Sequence, residues 1–234
     1  MAGIYKKEIS HYFKTMTGYV FIAMYLAVSG AMFTTVNLLS QNGDIRAYFS
    51  AMTTVVTFLL PILTMGMFAE ERKQKTDELL LTSPISLTAV VLGKFFSTFT
   101  VFLIPLSVTG IYPLLLSAFG ASAPMVTLGS FFGFMLLAMA FIAIGLFLSM
   151  LTDSQFVAAV MTYSLFALLL LANGTTALSG SAVLNALLRF VALTGHYNGF
   201  SYGVFQLTEI IYYVSIAALF LFLSIYMLER KRLT

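Results

Sequence analysis

Residues Glu70–Lys94 read EERKQKTDELLLTSPISLTAVVLGK and hold eight of the 21 charged residues in a chain of 234. Long apolar segments flank this stretch on both sides. Only 9% of the chain is charged, 60% is hydrophobic and the mean hydropathy is +0.97. A soluble domain carries roughly 25% charged residues, so this chain lacks the polar surface that water demands. It reads as an integral membrane protein. The apolar runs are long and unbroken, without the ~10-residue alternation of a transmembrane barrel, which leaves helices. At about 20 apolar residues per crossing, there is room for about six spans and no soluble domain. Residues 1–234 are therefore expected to form a single, all-α transmembrane domain.

The spans are expected at about Tyr19–Leu39, Tyr48–Phe68, Ala89–Ala118, Thr127–Leu151, Phe156–Ala172 and Glu209–Leu228. Pro61 is expected to kink the second, and Pro105 and Pro113 to tilt or break the third. In the fourth, Gly129 and Gly133 have the spacing that lets helices approach closely. Residues 4–16 read as a basic amphipathic helix in the headgroup plane, with Tyr5, Ile9, Tyr12 and Met16 on one side and Lys7, His11 and Lys14 on another. The apolar run after it continues to Leu39, too long for the core of a signal peptide. Without Trp, the interfacial belt falls to the 12 Tyr.

Residues 173–208 differ from the rest. NGTTALSGS is a loop, and Val183–Leu193 reads as a helix with Asn185 and Arg189 on its polar side. Eleven residues rise only about 16 Å, so this helix dips into or lies on the outer surface and does not cross. GHYNGFSYG (195–203) then leads into the last span. Of the 12 Lys and Arg, six spans place all but Arg46 and Arg189 on one face. The positive-inside rule puts that face, both termini and the 70–94 loop in the cytoplasm of a multi-pass protein of the plasma membrane.

Catalytic templates are missing. His11 and His196 fall on opposite faces, the acidic pairs Glu70/Glu71 and Asp77/Glu78 are interleaved with bases, and Gly93-Lys94 lacks the remainder of a phosphate-binding loop. No Cys is present to hold zinc or iron–sulfur clusters. The spans are nearly free of ionisable groups, which argues against a proton- or sodium-driven carrier. Glu209 alone comes close, as a helix-start residue facing water or as a functional carboxylate at the mouth. Energy has to enter elsewhere, and the 70–94 loop is the candidate port. Glu70, Glu71 and Arg72 extend the second span beyond the membrane. Thr76 caps a short helix with Asp77 and Glu78 in its first turn, Leu79, Leu80 and Leu81 follow, and Thr82, Ser83 and Pro84 end it. Three leucines held in water forgo about 1.5–3 kcal/mol of burial each. They fold back onto the bilayer or dock into another protein.

FAEERKQKTDELLLTSPISLTAVVLGKFF resembles the loop between helices 2 and 3 of type-2 ATP-binding cassette (ABC) permeases, especially the small six-span subunits of the gliding-motility-associated kind. The shared features are Glu70-Glu71, Arg72-Lys73, Thr76-Asp77-Glu78-Leu79-Leu80, Thr82-Ser83-Pro84 and Gly93-Lys94. The sequence departs at Lys75, where glycine is usual, and at Asp77, usually apolar. FSYGVFQLTEIIYY with the basic tail is similar to the family's last span, and the likeness covers essentially the whole chain. It implies that 76–84 is a coupling helix seated on a separate ATPase, with Glu70, Glu71, Arg72 and Lys94 supporting it. Two permease chains, as homodimer or related heterodimer, join two ATPase chains, with an auxiliary subunit as a further partner. ATP and Mg bind the ATPase and no cofactor binds this chain; membrane lipid surrounds it and no nucleic acid is involved. Dipping helices at 183–202 gate the outer mouth, giving Arg189, His196, Tyr197, Tyr202 and Glu209 as gate candidates. Export is the usual direction. Thr34, Asn37, Thr53 and Thr57 are candidates for the lining of the pathway. An intramembrane lipid-modifying enzyme and a passive channel or scaffold are the alternatives from other classes.

Overall fold

The computed structural model describes residues 2–74, 86–120, 123–175 and 192–233. Among them it is all-helical. The helices are α1 (Ala2–Lys14), α2 (Thr17–Phe33, continued by a π-helical turn Thr34–Leu39), α3 (Ile45–Thr64) and α4 (Ala69–Lys73). There follow α5 (Leu87–Val108), α6 (Ile111–Ala118), α7 (Pro124–Ser149), α8 (Gln155–Thr175), α9 (Tyr197–Ser201) and α10 (Leu207–Leu233). Five helical stretches are long and apolar enough to cross a membrane: 17–39, 45–73, 87–118, 124–149 and 207–232. A further helix, α8, has 21 residues and is apolar over Gln155–Leu171, at the short end of the ~17–25 residues of a crossing helix. The expected short helix at 183–193 lies almost wholly outside the described residues.

The centre of the bundle is α3 against α7. Their apolar windows are 61% and 72% buried, against 22% for α2 and α10. On α3 the buried set Phe49, Met52, Val56, Leu59, Leu60 and Leu63 recurs at helical spacing and faces inward. Gly145 lets α7 approach closely here, since a Cβ at that position would lie 2.4 Å from Thr64 Oγ1.

The helix breaks fall about one turn away from the prolines and not at them. The helix runs through Pro61 to Thr64 and opens into a turn at 65–68. In the third span neither expected proline is the break itself. The helix stops at Thr109–Gly110, between them. Pro113 has no N–H for the Thr109 carbonyl, which accepts from Tyr112 N instead at 3.0 Å.

The N-terminal helix is amphipathic as expected but packs on protein. Tyr5 Oη lies 3.0 Å from Thr100 Oγ1. Tyr12 Oη lies 2.8 Å from Thr98 Oγ1 and donates to the Leu63 carbonyl at 3.2 Å. Burial pushes the Tyr12 phenol well above its ordinary pKa, which keeps it a donor. Ile4 fills the space over Gly93, where a Cβ would lie 2.8 Å from Ile4 Cγ2. The helix ends at Lys14, not Met16. Met16 forms a left-handed corner, φ 60°, and is 70% exposed instead of joining the apolar face.

Candidate functional site

At the expected cytoplasmic end, three chain segments converge on one buried cation. Lys94, two turns into α5, has a side chain only 2% exposed. Its Nζ lies 3.1 Å from Glu8 Oε1 on α1 and 3.0 Å from Glu71 Oε1 on α4, with the Phe68 ring 5.0 Å away. Burying these charges is costly, and the mutual attraction offsets that cost only while all three remain in place. The arrangement therefore ties α1, α4 and α5 into one body.

The other flank of α4 is tied differently. Arg72 Nε lies 3.2 Å from Asp153 Oδ1, and Arg72 Nη1 donates to the Met150 carbonyl. These contacts bind α4 to the α7–α8 turn. Ser149 holds the break before α4: its Oγ accepts from Phe68 N at 3.0 Å and Ala69 N at 3.2 Å, and donates to the Met65 carbonyl at 3.0 Å. The backbone groups freed by the interrupted helix thus find partners. Glu70 turns away from Lys94 toward His11, 3.7 Å from Nε2, a half-exposed contact of little energetic weight. A cavity of about 270 Å³ opens between α1 and the end of the second span, with Glu8, His11, Glu70, Glu71 and Gln155 among its walls.

Of the expected support residues, the structure brings Glu71 and Lys94 into direct contact and sends Glu70 and Arg72 to separate partners. The coupling residues Thr76, Asp77, Glu78, Leu79, Leu80, Leu81, Thr82, Ser83 and Pro84 lie outside the described residues. So does Arg189. Glu8 and Ser149 escaped the sequence reading. The first could have been noticed as the lone acid among the bases Lys6, Lys7 and Lys14; a serine in an apolar helix gives no such signal.

At the opposite end residues 192–206 form a cap. His196 Nδ1 lies 2.5 Å from Glu209 Oε2, and its ring stacks on Tyr212 with centroids 3.9 Å apart. Tyr213 Oη donates to the Leu193 carbonyl at 2.6 Å, and Tyr197 Oη to the Ser130 carbonyl at 3.4 Å. Arg46 sits over the Tyr202 ring, 5.0 Å from its centroid. The glycine pair on α7 receives this cap. A Cβ at Gly129 would lie 2.5 Å from the Phe200 carbonyl oxygen, and one at Gly133 would lie 2.5 Å from Phe200 Cβ. The small-residue groove is filled by α9 from the same chain. Gly203, at φ 75°, completes the fit against Met125.

The pathway candidates each bond to backbone carbonyls close to them in sequence. Thr34 is exposed and its hydroxyl donates to the Gly30 carbonyl. Asn37 is buried, and its Nδ2 donates to the Asn42 and Asp44 carbonyls at 2.8 and 3.0 Å. Thr53 and Thr57 are buried and donate to the Ser50 and Thr53 carbonyls.

A family model described as an ABC-2 family transporter protein matches residues 4–233. No curated protein matches the chain.

Proposed function

The chain belongs to the ABC-2 transporter family as a membrane permease subunit, and from that premise we propose that it exports its cargo using ATP hydrolysed by a separate subunit. In this reading residues 76–84 seat on the ATPase, and two copies of each subunit make the transporter. The permease works in the plasma membrane with both termini in the cytoplasm. ATP and Mg belong to the partner.

The Lys94 clamp is the observation that carries this reading. Segment 75–85 connects α4 to α5, and a push on it reaches both. Because Glu8 and Glu71 grip one buried ammonium, α1, α4 and α5 move together instead of dissipating the push locally. Arg72 and Ser149 extend the linkage to α7 and α8. Strain applied at one loop thereby reaches helices across the bundle, and the cap between α9 and α10 opens or closes in response.

Co-purification with the ATPase subunit tests the docking. Replacing Leu79 and Leu80 by Ser and Glu78 by Ala is expected to abolish pairing while the permease still inserts and folds. Pairing that survives all three changes would rule out this loop as the seat.

A further inference from the structure

At the capped end, two cavities of opposite character meet at one ion pair. The first, about 520 Å³, is lined by Asp44, Arg46, Ser50, Asn198, Ser201 and Tyr202. The second, about 710 Å³, has Pro113, Leu114, Leu116, Pro124, Val126 and Leu128 among its walls and shares Asp44 and Arg46 with the first. Both volumes fall within the ~300–1,000 Å³ of small-molecule sites. The apolar one lies where α6 ends and α7 begins, at the end of two helical stretches long and apolar enough to cross a membrane.

The chemistry of the polar half is specific. Arg46 and Asp44 cancel each other's charge through contacts of 2.6 to 2.9 Å. The Asp44 oxygens are taken up by Arg46, whose backbone N also donates to Oδ1. The guanidinium keeps N–H donors beyond Nε and the one Nη2 contact. Ser50 and Asn198 are exposed, and Tyr202 is 65% exposed, so a hydroxyl, an amide and a phenol are open to a ligand. The polar half thus offers many hydrogen bonds and no net charge. A water-soluble ligand would leave the apolar half unused, and a hydrocarbon would leave the polar half unused.

We propose that this composite site binds one amphiphile from the leaflet at the capped end, its headgroup polar but without net charge, its apolar chain along the groove between α6 and α7. The site is independent of ATPase docking, so the two can fail separately.

The test uses the full chain with its ATPase, without nucleotide, in nanodiscs of mixed phosphatidylethanolamine and phosphatidylglycerol. A trace of phosphatidylethanolamine carries a photoreactive group in its acyl chain, and labelled peptides are mapped by mass spectrometry. Label is expected to concentrate in residues 111–128. Added phosphatidylethanolamine should displace it, and equal phosphatidylglycerol should not. Asn198→Ala and Ser50→Ala, both exposed, should each lower this label about fivefold, the loss of one ordinary hydrogen bond, with labelling elsewhere unchanged. Label spread evenly over the lipid-facing helices, equal displacement by both lipids, or undiminished label in both variants would overturn the proposal.

Discussion

The two ends of this bundle are held together by different physics. At one end, Lys94, Glu8 and Glu71 join three helices by charge, with Arg72 and Asp153 beside them. At the other, capped end, Phe200 and Gly203 join the cap to α7 by shape, with Gly129 and Gly133 cleared to receive them. Charge in a buried setting is unforgiving of partial loss, because one missing partner leaves the others uncompensated. Close packing is unforgiving of added volume. Ends built on these two principles would answer a mechanical push differently: the Lys94 end as a rigid body, the capped end by unseating a ring from a groove.

The largest effect is expected from Lys94→Met. Glu8, which is buried, and Glu71, which is partly buried, lose their cation, which costs up to about 3–5 kcal/mol, seen as a large drop in the melting temperature of the purified transporter. Adding Glu8→Gln and Glu71→Gln to that variant should restore most of the stability, because no buried charge then remains. If the triple variant also transports normally, the charge is not needed for coupling and the contrast between the ends fails at the Lys94 side.

Ser149→Ala attacks the same end without touching a charge. The Phe68 and Ala69 N–H groups lose their acceptor, and leaving buried donors unmet costs about 1–3 kcal/mol. Hydrogen exchange at these two amides should rise in this variant. Unchanged exchange would mean that the turn at 65–68 does not depend on the hydroxyl.

At the capped end, Gly129→Ala and Gly133→Ala each add one carbon where the space is already filled, at a cost of about 1–3 kcal/mol. Gly3→Ala is the control, since nothing lies within 4 Å of a Cβ there. Thermal unfolding should separate the pair from the control. Equal melting temperatures for all three would show that the cap yields, and that shape does not hold it.

The sequence was most readable where physics acts over long stretches. Apolar run length located the helices that are long and apolar enough to cross a membrane. Glu71 and Lys94 were singled out and do meet. What stayed hidden depends on one atom meeting another across the bundle. Ser149 is one hydroxyl in a helix of otherwise apolar character, and its three hydrogen bonds exist only because α3 breaks beside it. The glycine spacing announced a close approach but not the occupant, since Phe200 arrives from 67 residues away along the chain. Pro113 signalled a break but not its position, which depends on where the orphaned Thr109 carbonyl finds a donor.

The smallest effect lies at Asp44, whose ion pair with Arg46 holds the turn at the capped end. Its hydrogen bonds with the Arg46 side chain hold its pKa below the usual carboxylate value. A carboxyl depressed in the folded state contributes stability that is fully present above its unfolded pKa of about 3.9 and is lost as pH falls through the folded value. Acidification below about pH 4 should therefore loosen the turn at 40–46, while Asp44→Asn should make that turn insensitive to pH. The group is largely open to water, so the change is small and salt-screened. Amide exchange at Arg46, whose N–H donates to Asp44 Oδ1 at 2.9 Å, reports it locally where a global melting curve would not. The same titration at Gly203 should stay flat, because that residue is seated by contact alone. A pH-dependent Gly203 would mean that the ion pair reaches the cap through Tyr202, and that charge and shape are coupled at this end after all.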